Sequence, residues 1–121
     1  MSASVDHVGI NVTNFEKGKA FYVAAMKPLG LRVVQDYGTL IGLGGDYPFL
    51  WVGEGDPGKV HLALRADTPA EVDAFYKAAL AAGGKDNGAP GIRSEYSENY
   101  YAAYILDPDG HNIEAVCHVR R

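Results

Sequence analysis

Three residues in this chain of 121 have the types and the spacing to do chemistry together: His7, His61 and Glu114. Each interrupts a stretch that otherwise alternates between apolar and polar or small residues. Val8, Ile10 and Val12 alternate with His7, Gly9 and Asn11, and Val60, Leu62 and Leu64 alternate with His61, Ala63 and Arg65, the period of two that marks a half-buried strand. In both segments the aliphatics share the face that a following helix covers, so the histidines are expected on the open face of the sheet. Ile113, Ala115 and Cys117 form the apolar face of the last strand, which turns Glu114 to the histidine side. A carboxylate in mid-strand needs a partner. Two neutral imidazoles and one carboxylate on a rigid sheet make a 2-His-1-carboxylate ligand set, suited to Fe(II), Mn(II), Zn(II) or Ni(II) with coordination positions left open. Such an ion polarises an oxygen, lowers the pKa of bound water or holds dioxygen beside a substrate. A lone strand histidine is more often a hydrogen-bonded structural residue, but two at equivalent places, in phase with a strand glutamate, favour a metal.

The equivalence comes from an internal repeat. Shifting the chain by 54 residues lays His7 on His61, Phe21-Tyr22 on Phe75-Tyr76, Ala24-Ala25-Met26 on Ala78-Ala79-Leu80, and Gly30 on Gly84. The first copy reads as a strand over 5–12, then a helix opened by a Thr13/Glu16 capping box and closed at Pro28 and Gly30, then strands over 31–37, 39–43 and 48–52. The polar stretch 54–58 is the expected linker. The second copy restarts at Val60. Its helix opens with the capping box Thr68-Pro69-Ala70-Glu71 and runs through Val72, Phe75, Ala79 and Leu80 to Gly83-Gly84. A loop-rich stretch over 85–99 and a closing hairpin follow. The sequence therefore predicts an α+β fold of two βαβββ modules, about 5–53 and 59–118, in a single domain of 1–121 whose sheets curl around a cleft.

The hairpin turn Asp107-Pro108-Asp109-Gly110 sets the register beside Glu114. Pro108 fixes φ near −65°, which favours a type I turn followed by a left-handed Gly110, a three-residue loop with a bulge. That register places Tyr104 opposite Glu114, with Ala102 and Tyr100 on the same face; a slip of one residue would place Ala103 there. Laying Asp46 on Asp109 puts Trp51 where the second module has Glu114, making the cleft partly apolar. Tyr100 and Tyr104 are candidates to orient a substrate oxygen or act as acids, or else simply line the wall. Arg93, in the long 86–99 loop, is a candidate clamp for an anionic substrate or else a solvated charge. His111, at the turn, and His118, near the chain end, have no evident role, and Cys117 reads as a small buried apolar residue.

Composition bounds the function. The net charge of −4, with no basic run beyond Arg120-Arg121, argues against nucleic acid as a partner. The single Cys117 forms no internal disulfide, and the N-terminus carries no signal-like apolar core. No apolar run approaches the roughly 20 residues that cross a bilayer. A cytoplasmic location is expected, away from membranes.

Asp6-His7-Val8-Gly9-Ile10, Phe21-Tyr22, Val60-His61-Leu62-Ala63 and Asp107-Pro108-Asp109-Gly110-His111-Asn112-Ile113-Glu114 together resemble the vicinal oxygen chelate superfamily of glyoxalases, bleomycin- and fosfomycin-resistance proteins and extradiol dioxygenases. The resemblance covers nearly the whole chain, and the Asp-Pro-Asp-Gly hairpin with its following Glu is its most specific motif. It implies paired βαβββ modules around a divalent metal, with His7, His61 and Glu114 at the ligand positions, and a homodimer in which single-chain members complete or bury the site across subunits. It also implies a small-molecule substrate that chelates the metal through oxygen. Beside it, the residues themselves offer Glu114 and Tyr104 as catalytic candidates and Trp51, Arg93, Tyr100 and Tyr104 as candidate substrate contacts. Glyoxalase-type isomerases carry a second acidic ligand near Leu50 or Trp51, which is missing here, so that activity is disfavoured. Fosfomycin-modifying members have three ligands and a Tyr where Tyr104 stands, but a hydroxyl residue where this chain has Gly9. Extradiol dioxygenases share the His-His-Glu set but sit in longer chains. A lyase, thiol transferase or dioxygenase remains in view. The alternative is a metal-free binding protein, like the bleomycin-resistance proteins, that sequesters an aromatic molecule.

Overall fold

Two four-stranded sheets, each with one helix, carry the chain. The computed structural model describes residues 5–118; residues 1–4 and 119–121, the Arg120-Arg121 doublet among them, lie outside these. The first unit runs β1 (Val8–Val12), α1 (Phe15–Met26), a 3-10 turn (Lys27–Leu29), β2 (Arg32–Asp36), β3 (Leu40–Gly44) and β4 (Pro48–Glu54). The second runs β5 (His61–Arg65), α2 (Pro69–Ala81), β6 (Lys85–Ile92), β7 (Tyr100–Leu106) and β8 (Asn112–His118). The sheet orders are β1-β4-β3-β2 and β5-β8-β7-β6. In each the first strand pairs in parallel with the last and the other pairings are antiparallel. The α+β class and the two βαβββ units are those the repeat implied, and the two sheets remain separate rather than joining into one closed sheet. Gly9 pairs with Trp51 in the first unit as Ala63 pairs with Glu114 in the second, so Trp51 holds the place equivalent to Glu114. Among the described residues no helix is long and apolar enough to cross a membrane.

The apolar faces meet in one core, where Phe21, Met26, Phe75, Ile105 and Ile113 are fully enclosed and α1 packs on α2. Cys117 is buried there, and enclosure raises its thiol pKa. The second helix begins as its sequence predicts: Thr68 and Glu71 form a reciprocal capping box, with Pro69 in the first turn. The first does not. Asn14, rather than Thr13, is the N-cap and accepts from the Lys17 N–H. Thr13 is already committed elsewhere: its N–H and hydroxyl both donate to the Asp109 carboxylate, at 3.1 and 2.5 Å. The loop expected over 85–99 is largely strand. β6 pairs with β7 through register shifts between Asp86 and Gly88 and between Gly88 and Gly91, and these bulges accommodate glycines and a proline that read as loop.

Thr13 belongs to a knot that ties the closing turn to the first module. Asp107, 3% exposed, accepts the Tyr22 hydroxyl at 2.7 Å and the Asp109 and His111 N–H groups at 2.9 and 2.8 Å. Gly110, at φ 89°, donates its N–H back to the Asp107 carbonyl, and the Asp107 N–H donates to the His111 carbonyl. This is the three-residue loop expected from Pro108, and it delivers the expected register, Tyr104 opposite Glu114. The buried His111 ring accepts the Val60 N–H at Nδ1 (3.2 Å) and donates from Nε2 to the Asn11 carbonyl (2.9 Å). It therefore joins β1 to the approach of β5.

Removing the Asp107 carboxylate strands the enclosed Tyr22 hydroxyl and two turn N–H groups. Asp107→Ala is expected to lower unfolding free energy by about 2–4 kcal/mol and Tyr22→Phe by about 1–2 kcal/mol, with the double variant falling short of the sum because the two share a bond. Urea unfolding of the three variants checks this; additive effects would mean that the bond contributes nothing.

Candidate functional site

Strands β5, β7 and β8 converge on Glu114. Ala63 and Tyr104 flank it in register, and alternation puts His61 and Tyr100 on the same face. Glu114 is only 1% exposed, and both its oxygens are engaged. Oε1 lies 2.8 Å from His61 Nε2, and Oε2 accepts the Tyr100 hydroxyl in a short bond. A buried carboxylate without such partners would carry a large desolvation cost. The His61 side chain remains 54% exposed, so the pair has a closed side at Glu114 and an open side at the imidazole.

The tyrosines around the carboxylate are held in their neutral form. Burial, then the Glu114 bond and charge, push the Tyr100 phenol well above its ordinary pKa. Burial and then Glu114 raise Tyr104 as well, although the bond from Tyr100 pulls it down. At neutral pH both are therefore hydrogen-bond donors. The Tyr104 ring centre lies 6.4 Å from that of His61 and carries the Arg93 guanidinium 5.4 Å above its own face. Tyr100 also packs against Tyr96 and, edge to face, against His118, with centroids 5.1 and 5.3 Å apart.

His7 stands apart from this group. It lies just before β1, is exposed, and its Nδ1 is 2.7 Å from Asp6 Oδ2. Among the described residues no group of three or more His, Cys, Asp and Glu is so placed that it could hold a metal ion. The chain thus brings His61 and Glu114 together and leaves His7 outside. Trp51, on β4, lies against Tyr37 in a stack with centroids 6.1 Å apart and planes 9° from parallel. Of the other histidines, His111 is the buried tie described above and His118 is exposed at the end of β8. Sequence reasoning assigned no role to His111 or Tyr37. The signal for His111 was its place directly after the left-handed Gly110, where the chain turns inward; Tyr37, in a Gly-containing hairpin, carried none.

The donor set fits a divalent cation in part. His61 Nε2 and Glu114 Oε1 are a nitrogen and an oxygen facing one another at 2.8 Å. Two adjacent ligands with bonds of 2.0–2.2 Å to one ion are also roughly 3 Å apart. At His7, Nδ1 faces the Asp6 carboxylate; a ring that donates from Nδ1 to a carboxylate presents its Nε2 lone pair, the arrangement of a metal-binding imidazole backed by an acid.

Five tyrosines, Tyr22, Tyr76, Tyr100, Tyr101 and Tyr104, have raised phenol pKa values, Tyr101 being pushed up to about 12, chiefly by its bond to Asp73. The unfolded chain ionises these groups near pH 10 while the folded chain keeps them neutral, so stability is full below about pH 10 and falls as pH rises through the folded values. For Tyr100, Glu114→Gln is expected to bring ionisation to lower pH while burial keeps it above the ordinary value, as followed by the ring carbon shift in NMR. An unchanged Tyr100 titration would show that the carboxylate does not act on it.

The sequence profile of the Glyoxalase/Bleomycin resistance protein/Dioxygenase superfamily matches residues 4–115. Among solved structures, a glyoxalase/bleomycin resistance protein from Albidiferax ferrireducens T118 is 28% identical with a TM-score of 0.80, over 94% of this chain and 98% of that one. A putative glyoxalase from Bacillus halodurans shares the fold at 20% identity and a TM-score of 0.74, over 96% of each chain. A glyoxalase/bleomycin resistance protein/dioxygenase family enzyme from Burkholderia phytofirmans PsJN does so at 20% and 0.73, over 97% of this chain and 100% of that one. No curated protein matches the chain. With its paired modules, its Asp-Pro-Asp-Gly hairpin and a profile match over nearly its whole length, the chain belongs to the Glyoxalase/Bleomycin resistance protein/Dioxygenase superfamily.

Proposed function

We propose that this protein is a divalent-metal-dependent enzyme acting on a small substrate that chelates the metal through oxygen, and that it works as a homodimer. His61 and Glu114 of one copy and His7 of a second copy hold the ion. The observation that carries this reading is the separation of the three residues within one chain: His61 and Glu114 meet at 2.8 Å, while His7 sits exposed at the edge of the other module with Nδ1 against Asp6. Two further features favour a second copy. β1 and β5 are edge strands. Between them lies an apolar cleft of about 380 Å³ walled by Val8, Phe49, Leu62 and Leu64, the kind of edge that proteins cover.

A bound divalent ion would polarise the substrate's oxygens and stabilise negative charge that develops on them. The chain's own residues do the rest. Glu114 is locked by Tyr100, which acts as a positioning residue, so the ligand carboxylate cannot rotate away. Tyr104, kept protonated, donates to an oxygen that gains charge, preorganised stabilisation of the oxyanion type. Trp51 supplies an apolar wall where glyoxalase-type isomerases have an acid, so a lyase, thiol-transfer or dioxygenase reaction fits better than that isomerisation. Oxygen uptake with a catechol separates a dioxygenase from a thiol transferase, which consumes a thiol. A cytoplasmic setting is consistent with the one buried, unpaired Cys117.

The Tyr37–Trp51 stack favours a second reading, a metal-free protein that sequesters a planar aromatic molecule. Metal analysis decides between them. Protein purified without added metal is expected to carry about one divalent ion per chain, reduced at least tenfold in His61→Ala and in Glu114→Ala. If no metal is found even after reconstitution, and an aromatic ligand binds equally to wild type and His61→Ala but is lost in Trp51→Ala, the binding-protein reading replaces the enzymatic one.

A further inference from the structure

Arg93 is built into the structure rather than left in solvent. Its guanidinium lies 5.4 Å over the Tyr104 ring, and Nη2 donates to the Ala89 carbonyl at 2.5 Å. The bulged strand β6 passes beneath it on glycines. A Cβ at Gly91 would come within 3.0 Å of Nη1 and one at Gly88 within 3.3 Å of Nη2, so both glycines pack close against the guanidinium and a side chain at either would make it give by a few tenths of an ångström. Arg93 is half-buried, yet among the described residues no carboxylate lies within ion-pair distance of it. Glu95 lines the same hollow but is exposed and unpaired with it. A held, partly desolvated cation with unused in-plane donors suits a planar oxyanion, which a guanidinium grips bidentately.

The hollow in front of Arg93 has a volume of about 270 Å³, and Tyr104 and Asn112 are among its walls. Those residues also border the metal-ligand pair. Tyr104 is directly opposite Glu114, and Asn112 is the strand partner of His61 and accepts from the Asn87 amide at 3.2 Å. Arg93 and His61 thus share Tyr104 as a neighbour, with 5.4 and 6.4 Å to its ring centre.

We infer that Arg93, cradled by Gly88 and Gly91, forms a carboxylate subsite beside the His61–Glu114 pair, so that the substrate is a small organic acid: its carboxylate sits on Arg93 while its neighbouring oxygens face His61 and Glu114. The placement of those oxygens rests on the proposed metal site; the carboxylate subsite does not.

Three probes separate the two claims: benzoate, benzamide and 3,4-dihydroxybenzoate, with binding followed by calorimetry and by the Arg93 side-chain nitrogen resonances. Benzoate is expected to bind and to shift the Arg93 resonances, benzamide to bind about tenfold more weakly, and Arg93→Gln to remove the difference, with Arg93→Lys retaining part of it because it keeps charge without the bidentate fork. His61→Ala should leave benzoate binding intact and remove only the added affinity of the dihydroxy compound. Equal binding of benzoate and benzamide, or benzoate binding unchanged in both Arg93 variants, overturns the carboxylate subsite. Loss of the dihydroxy advantage in wild type with benzoate binding preserved would instead count against the metal-site reading.

Discussion

A buried imidazole holds the first strands of the two modules in place. His111 receives the Val60 N–H and donates to the Asn11 carbonyl, which requires the neutral ring protonated on Nε2. Val60 immediately precedes His61, and Asn11 lies on the strand that follows His7, so one ring links the chain segments that carry both candidate histidines. The ring is itself placed by Asp107, which gathers the Tyr22 hydroxyl and two turn N–H groups, and Asp109 adds the tie to Thr13. In this way the Asp-Pro-Asp-Gly turn does more than reverse the chain: it sets the hairpin register that centres Tyr104 on Glu114 and docks that hairpin on the other module. Even the start of α1 follows from it, because Thr13 is drawn to Asp109 and leaves the capping to Asn14.

Within that frame the two modules are alike in fold and unlike in chemistry. At equivalent strand positions one has Trp51 and the other Glu114. The tryptophan stacks on Tyr37, and the carboxylate is enclosed by His61 and Tyr100. One half therefore offers an aromatic surface and the other a polar one. In the proposed dimer a cleft would have one wall of each kind, suited to a small molecule with a flat apolar part and a cluster of oxygens.

Much of this was legible in the sequence because it rests on periodicities and on single residues with narrow conformational ranges. The alternation around Val8 and Leu62, the Thr68/Glu71 capping box and the restriction that Pro108 places on its turn all act locally, and each is present as expected. What was hidden depends on contacts between segments distant in the chain. Thr13 looks like a cap until Asp109, 96 residues away, is brought to it. β6 looks like a loop because its glycines and proline sit at bulges that only pairing with β7 reveals, and those glycines make room for the Arg93 guanidinium. His111 has the composition of a turn residue and the burial of a core residue, and no local pattern distinguishes the two. The three candidate ligands were recognisable by type and phase. Their division between two places on one chain was not, because phase along a strand says nothing about the distance between sheets.

That division is the central claim, and subunit complementation tests it most directly. Chains carrying His7→Ala and chains carrying His61→Ala are unfolded, mixed and refolded together with a divalent metal, and bound metal is measured on the isolated mixed dimers. Neither variant alone should retain the ion. A mixed dimer contains one pairing in which an intact His7 from one chain meets an intact His61 and Glu114 from the other, so about one ion per dimer is expected. Mixed dimers that bind no metal, or His7→Ala dimers that bind it as wild type does, would contradict a site shared between two copies of the chain.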